Sequence, residues 1–245
     1  MKKVYSRTTG VREDMVNGFC PGCMHSTVIK LIGEVLDEMN MMDKAVCVLG
    51  IGCCGLHMEY TTYDNTTAPH GRACAVATGI KRANPDSLVF TYQGDGDLAS
   101  IGLGESVSAA NRGENISVIF INNGIFGMTG GQMAPTTLLG MKASTAPKGR
   151  IAQEHGYPMH MCEILNQLTA PAYLERTSCN TPGNVIKTKK AIRKAFENQI
   201  NGKGFSMVEI VTNCPTNWGL DPLDSLIFLE EKMLPEYPLG VIRDK

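Results

Sequence analysis

The sequence predicts an α/β fold, a mostly parallel sheet flanked by helices, and three observations predict it. Apolar, β-rich runs at 45–49 (AVCVL), 87–92 (SLVFTY) and 116–121 (ISVIFI) are continuous rather than alternating, as in strands buried on both faces. Segments of helical character separate the runs, the order that builds parallel sheets, and no internal repeat interrupts it. The middle of the chain supplies one complete unit. The strand at 87–92 leads to a GDGD turn at 94–97, a helix-like segment at 101–112 and the strand at 116–121, which ends in Asn122, Asn123 and Gly124. Such a unit places both loops at the carboxyl edge of the sheet.

Taken in order, residues 1–18 are polar and read as an irregular arm. Cys20-Pro21-Gly22-Cys23 follows, and Ser26 is placed to cap a helix over 27–39 with Val28, Ile29, Ile32, Val35 and Leu36 inward. The strand at 45–49 ends in GIGCCG at 50–55. The stretch 57–70 has no helical period and reads as a loop. Small residues at 71–82 (GRACAVATGIKR) predict a helix packed tightly on the sheet, broken by Asn84-Pro85-Asp86. After Thr137 a Gly-, Pro-, Thr- and Lys-rich stretch to about Arg150 has the length of a functional loop. Strands are expected at 159–164, 173–177 and 205–211. Between the last two lies an amphipathic helix at 185–199, with Lys187, Lys189, Lys190, Arg193 and Lys194 as its solvated face. A last helix near 222–233 and a tail complete a single domain over 1–245.

The 245 residues are 43% hydrophobic and 19% charged, enough apolar material for one core. A formal net charge of −1 gives neither nucleic acid nor an anionic membrane a bulk electrostatic reason to bind. No apolar run approaches the roughly 20 residues of a membrane span. The start, MKKVYSRTTGVRED, has positive charge but no apolar stretch behind it, so the expected location is cytoplasmic. Nine cysteines, in a reducing compartment, read as metal ligands or small buried residues rather than disulfides.

The chemistry concentrates in the central unit. A carboxylate (Asp95) and a carboxamide (Asn123) at one sheet edge suit a hard divalent cation that also binds phosphate oxygens. Gly94 and Gly96 let backbone amides approach a diphosphate, and the following helix start favours negative charge. A lone GDG is an ordinary turn. GDG followed by NN at the end of the next strand is more specific, and it resembles the thiamine diphosphate motif. That resemblance implies Mg²⁺ on Asp95 and Asn123, with the Ile125 carbonyl as a third ligand.

Two further motifs compete. Gly50-Ile-Gly52-Cys-Cys-Gly55 fits the letter of the dinucleotide fingerprint of an NAD(P)-dependent oxidoreductase. No helix is predicted after it, however, and His70 stands where the ribose-binding acid belongs. Cys20-Pro-Gly-Cys23 lacks the preceding strand of a thioredoxin-like dithiol and the second CxxC of a zinc ribbon. An iron–sulfur cubane needs four thiolates, and Cys53 or Cys54, with Cys214, stand at strand ends on the same sheet edge. Spacing leaves a cluster, a zinc-stabilised non-catalytic module and ordinary buried cysteines all open.

Together the motifs resemble one family over most of the chain, the thiamine-diphosphate (beta) subunit of the multisubunit 2-oxoacid:ferredoxin oxidoreductases. The landmarks are Cys20-Pro-Gly-Cys23, Gly50-Ile-Gly-Cys53, His70-Gly-Arg-Ala73, Ala77-Thr-Gly79, Gly94-Asp-Gly96, Asn122-Asn123, Met128-Thr-Gly-Gly-Gln132, Pro135-Thr-Thr137 and Cys214-Pro-Thr216. The resemblance implies a thiamine-diphosphate-binding fold and CoA-dependent oxidative decarboxylation of a 2-oxoacid, with electrons passed to ferredoxin. It implies a [4Fe-4S] cluster on Cys20, Cys23, Cys53 and Cys214, with Cys53 preferred to Cys54 because it directly follows Gly-Ile-Gly. Cys47, Cys74, Cys162 and Cys179 are left as buried apolar residues. Residues expected to contact the cofactor are Gly52, Cys53, Cys54, His70, Gly94, Asp95, Gly96, Asp97, Asn123, Ile125, Gly127, Met128 and Thr129.

His70, Arg72, Met128 and Thr129 are the candidates for catalytic contact, while His25, His57, His155 and His160 have no spacing argument. The glutamate that activates the thiamine ring is expected from a partner alpha subunit, since Glu59 and Glu105 sit in no matching motif. Gamma and ferredoxin-like delta chains complete the implied complex, and the chain alone is expected to be inactive. The loop 126–132 has no lysine or arginine to pair a distal carboxylate, which weakens 2-oxoglutarate, and Met128 suits an aliphatic group. CPTNWG at 214–219 and LPEYPLG at 234–240 look most like branched-chain (2-oxoisovalerate-type) members, with 2-oxoglutarate or pyruvate behind.

Overall fold

Seven strands form one sheet in the order β2-β1-β3-β4-β8-β7-β9 in a computed structural model that describes residues 7–245. The central strands are β1 (Ala45–Leu49), β3 (Leu88–Gly94), β4 (Ser117–Asn122), β8 (Ser206–Val211) and β7 (Tyr173–Ser178), all parallel. Their side chains alternate between two buried layers. Phe90, Tyr92, Ile119, Ile121, Val208 and Ile210 face one, while Val89, Val118, Phe120 and Met207 face the other. Both faces are dry, so the runs are apolar without alternation, and each large side chain buried contributes about 1.5–3 kcal/mol.

Helices cover both faces. α1 (His25–Met39) and α6 (Pro182–Ile200) share the first layer through Val28, Ile32, Val35 and Leu36 against Ile192 and Phe196. α2 (Ala73–Ala83), α3 (Leu103–Asn111) and α5 (Met161–Asn166) cover the second. Ala73, Ala77, Ala109 and Ala110 are buried there, and their small side chains let α2 and α3 lie close to the sheet. A turn of π-helix, Gly96–Ile101, precedes α3.

Several elements differ from the sequence reading. Ser26 does not cap α1; the helix begins at His25, two residues before the expected start, and Ser26 Oγ donates to the Cys23 carbonyl. The stretch read as a loop at 57–70 begins inside a 3₁₀ helix, Cys53–Glu59, and contains an edge strand β2 (Asp64–Thr67) parallel to β1. Residues 159–164, read as a strand, enter α5, whose six residues are too few to show a helical period. The tail after α9 (Leu234–Glu236) is strand β9 (Gly240–Asp244), antiparallel to β7. The basic face of α6 is paired rather than merely solvated: Lys189 reaches Glu34 and Glu38 of α1, and Arg193 reaches Glu38. The remaining helices are α4 (Ala152–His155), α7 (Pro215–Trp218) and α8 (Pro222–Phe228), and a hairpin joins β5 (Ile125–Phe126) to β6 (Gln132–Met133). Of the predicted arm, residues 1–6 lie outside the described residues, and 7–18 are irregular apart from one bridge, Val11 to Thr61.

Candidate functional site

Four adjacent strands end at one rim, and each delivers a residue to it. β1 runs out before Cys53, β3 before Asp95, β4 before Asn123 and β8 before Cys214. The register brings the ends level: Leu49 lies opposite Tyr92, Gly94 opposite Ile121 and Asn122 opposite Val211. Ligand sites of open α/β sheets form at such a rim.

Asp95 and Asn123 point at one spot. Asp95 Oδ2 and Asn123 Oδ1 each lie 3.2 Å from the same donor, the Ile125 N–H. Asp95 also accepts from Thr136 Oγ1 at 2.7 Å and from the Gly96 N–H at 2.9 Å. Burial pushes the Asp95 carboxyl up to about 6 despite these donors. A divalent cation against that carboxylate would favour its charged form, so the oxygen donors fit Mg²⁺. Trp218 Nε1 donates to the Asn123 carbonyl at 3.1 Å and braces the strand end from behind.

Beside these oxygens opens a cleft. Gly52, Cys53, Cys54, His70, Gly94, Asp95, Gly96, Asp97, Asn123, Ile125, Gly127, Met128 and Thr129 all line it. Gly96 is required: a Cβ there would stand 2.3 Å from Phe126 Cε1, so only glycine lets the ring cover the turn. Two lining residues, His25 and Ile51, were missed by sequence reasoning, and Phe126, which opens the loop at 126–132, lines the cleft as well. His25 sits two residues after Cys23, which is the one signal that would have found it. The glycine-rich turn and the oxygen pair together fit a diphosphate held through Mg²⁺.

Asp97 is held differently from its neighbour Asp95. Its oxygens accept from Ile51 N–H (3.1 Å), Gly71 N–H (2.8 Å), His70 Nδ1 (2.6 Å) and Gln93 Nε2 (2.7 Å). Asp97 lines the cleft, and its carboxylate also fixes His70 and two backbone turns. Arg72 lies outside the cleft lining, in a 2.6 Å ion pair with Glu105. Neither Glu59 nor Glu105 lines the cleft.

Cys20, Cys23, Cys53 and Cys214 line a second cleft that shares His25, Cys53, Asn123, Gly127 and Met128 with the first. A Cβ placed on Gly127 would lie 3.3 Å from Cys53 Sγ and 3.7 Å from Cys214 Sγ, so glycine leaves the space between these sulfurs clear. Cys54 does not reach this cleft and is buried in the core, with its thiol pushed up to about 12 by burial. Burial and the neighbouring sulfurs also push Cys53 up to about 11 and Cys23 up to about 12. The thiols of Cys23, Cys53 and Cys214, raised by burial and by neighbouring sulfurs, gain from a positive centre, which fits iron ligation. Among the described residues no three His, Cys, Asp or Glu side chains converge on a single-ion point. The four cysteines share the lining of one cleft, and four thiolates are the number an iron–sulfur cubane takes.

The competing dinucleotide motif lacks its helix, since Gly50–Gly55 runs into 3₁₀ turns. Gly50 is glycine because a Cβ there would meet Asp97 Oδ2 at 2.4 Å. The remaining histidines are tied up locally. His57 bonds Tyr63, His160 pairs with Glu236, and His155 accepts from the Ile151 N–H.

Comparison with known proteins agrees with this geometry. The family described as "Thiamine pyrophosphate enzyme, C-terminal TPP binding domain" matches residues 50–210. Ketoisovalerate oxidoreductase subunit VorA of Methanothermobacter thermautotrophicus is 48% identical over 227 residues, 93% of this chain and 48% of that one. The chain thus spans about half the length of that relative. 2-Oxoglutarate synthase subunit KorB of Methanocaldococcus jannaschii is 37% identical over 223 residues, 88% of this chain and 78% of that one. The structure of 2-oxoglutarate:ferredoxin oxidoreductase from Magnetococcus marinus, with 2-oxoglutarate, coenzyme A and succinyl-CoA bound, superposes with a TM-score of 0.78 at 26% identity, covering 96% of this chain and 84% of that one. The chain belongs to the thiamine pyrophosphate enzymes, in the group of 2-oxoacid:ferredoxin oxidoreductase beta subunits.

Proposed function

We propose that this chain is the thiamine-diphosphate and iron–sulfur subunit of a cytoplasmic 2-oxoacid:ferredoxin oxidoreductase, catalysing CoA-dependent oxidative decarboxylation within a hetero-oligomer. The observation that carries the reading is the convergence of Asp95 and Asn123 oxygens on the Ile125 N–H, next to a cleft lined by four cysteines. Asp95, Asn123 and the Ile125 carbonyl would hold Mg²⁺, and through it the diphosphate. Cys20, Cys23, Cys53 and Cys214 would hold a [4Fe-4S] cluster. When bound, thiamine diphosphate supplies the electron sink for decarboxylation, and the cluster supplies one-electron acceptance.

The chain's own residues then do the positioning. His70 gives its Nδ1–H to Asp97, which leaves Nε2 as the ring nitrogen free to exchange a proton in the cleft. Phe126, lying over Gly96, closes the wall beside the diphosphate turn and excludes water. Ile51 and Met128, 42% and 51% exposed, give the mouth an apolar rim for the substrate side chain. No lysine or arginine lines the cleft, which disfavours the distal carboxylate of 2-oxoglutarate, and Met128 suits a branched aliphatic 2-oxoacid. The name of the VorA relative supports that order, and the KorB and Magnetococcus names keep 2-oxoglutarate second.

Glu105 is bound to Arg72 outside the cleft, so the activating glutamate is proposed to come from an alpha subunit, with gamma and ferredoxin-like delta chains completing the complex. Among the described residues no helix is long and apolar enough to cross a membrane. The test compares initial rates of the assembled complex on 2-oxoisovalerate, 2-oxoglutarate and pyruvate, with the isolated chain as control. The expected order is the one written, with no turnover by the isolated chain. Robust decarboxylation by the chain alone, or a marked preference for 2-oxoglutarate, would overturn the corresponding part.

A further inference from the structure

Asn217 stands between the two clefts. Its Nδ2 donates to Cys214 Sγ at 3.4 Å and to the Gly127 carbonyl at 2.8 Å, so one carboxamide joins a candidate cluster ligand to the loop that lines the cofactor cleft. Only the NH₂ side of the amide satisfies both acceptors. Its oxygen faces Gly131, where a Cβ would come within 3.1 Å and where φ is +82°. The half-buried side chain is not needed to form α7, whose turn is closed by the Trp218 N–H to the Cys214 carbonyl at 2.9 Å.

We propose that Asn217 is a positioning residue that sets the reduction potential of the sulfur-ligated centre at Cys214 and ties that ligand to the cofactor loop at Gly127. The proposal rests on the cluster assignment made above. An N–H donated to a ligand sulfur stabilises the more negative, reduced state more than the oxidised one, so it raises the potential. The same carboxamide holds Gly127 against Cys53 and Cys214, so the electron acceptor and the cleft wall move as one unit.

The test is a redox titration, followed by visible absorption and electron paramagnetic resonance, of the anaerobically purified full chain and its N217L and N217S variants. Leucine keeps the volume without a donor. Serine keeps one donor too short to serve both acceptors. The midpoint should fall from wild type to N217S to N217L. In N217L the reduced-to-oxidised ratio at fixed poise should fall about tenfold, a shift of 59 mV for a one-electron couple. Should N217L fail to retain iron, the drop from wild type to N217S decides. Equal midpoints in cluster-bearing proteins would overturn this inference and leave the proposed function standing. A wild-type chain free of iron and sulfide would overturn the cluster assignment itself.

Discussion

Asp97 holds His70: its Oδ1 accepts from the ring Nδ1–H at 2.6 Å and from the Gly71 N–H at 2.8 Å. The aspartate is buried and the histidine is partly open to the cleft, so the pair orients one imidazole rather than forming a surface ion pair. Replacing Asp97 by Asn keeps the shape but lets the amide donate to Nδ1, which favours the tautomer with its proton on Nε2. The expected outcome in the complex is a fall in kcat on the order of 100-fold with little change in KM for the 2-oxoacid. Steady-state kinetics with circular dichroism as a folding control checks it, and an unchanged kcat would remove His70 from proton transfer.

Thr136 is fully buried and gives its hydroxyl to Asp95 Oδ2. Thr136→Val should weaken Mg²⁺-dependent binding of thiamine diphosphate by about 10- to 100-fold, as loss of a residue supporting a metal ligand does. The chain has a single tryptophan, and Trp218 donates to the Asn123 carbonyl, so its fluorescence reports the titration directly. Asp95→Asn should abolish the Mg²⁺-dependent signal, and chelation with EDTA should reverse it in wild type.

His57 is buried and bonded to Tyr63, and burial depresses it from 6.5 to about 3. A group depressed in the fold binds its proton more weakly there than in the unfolded chain. Its contribution is therefore complete above the unfolded pKa near 6.5 and is lost as pH falls towards the folded value. The chain should lose about 1.4 kcal/mol per pH unit from this residue between about pH 6 and 4. Thermal midpoints from pH 8 to 5 measure it, and His57→Gln should flatten the acid limb.

Arg176 and Glu209 form a 2.9 Å pair, with side chains only 1% and 0% exposed, and Glu209 also accepts from Asn122, the residue before Asn123. Arg176→Met leaves a buried carboxylate without its partner. The expected loss is about 3–5 kcal/mol, or roughly 10 °C in Tm for a chain of this size. Arg176→Met combined with Glu209→Gln should recover most of it. Calorimetry on the single and double variants distinguishes the two cases.

What the sequence by itself determined is the strand–turn–helix–strand unit, the buried central strands, and Asp95, Asn123 and their glycines at one edge. Those features depend on local pattern: apolar runs, glycine at turns, and the fixed handedness of parallel crossovers. Strands β2 and β9 carried no such pattern, because DNTT and GVIRD are edge segments that gain their place from backbone pairing and bury little. The tertiary structure alone decided which cysteines meet. Gly52, at φ +126°, turns the chain so that Cys53 faces the thiol cleft while Cys54 enters the core. It also decided that Asp97 serves His70 and that Arg72 serves Glu105. Each of those outcomes depends on side-chain direction between segments far apart in the chain, and direction is set by packing rather than by residue type or spacing.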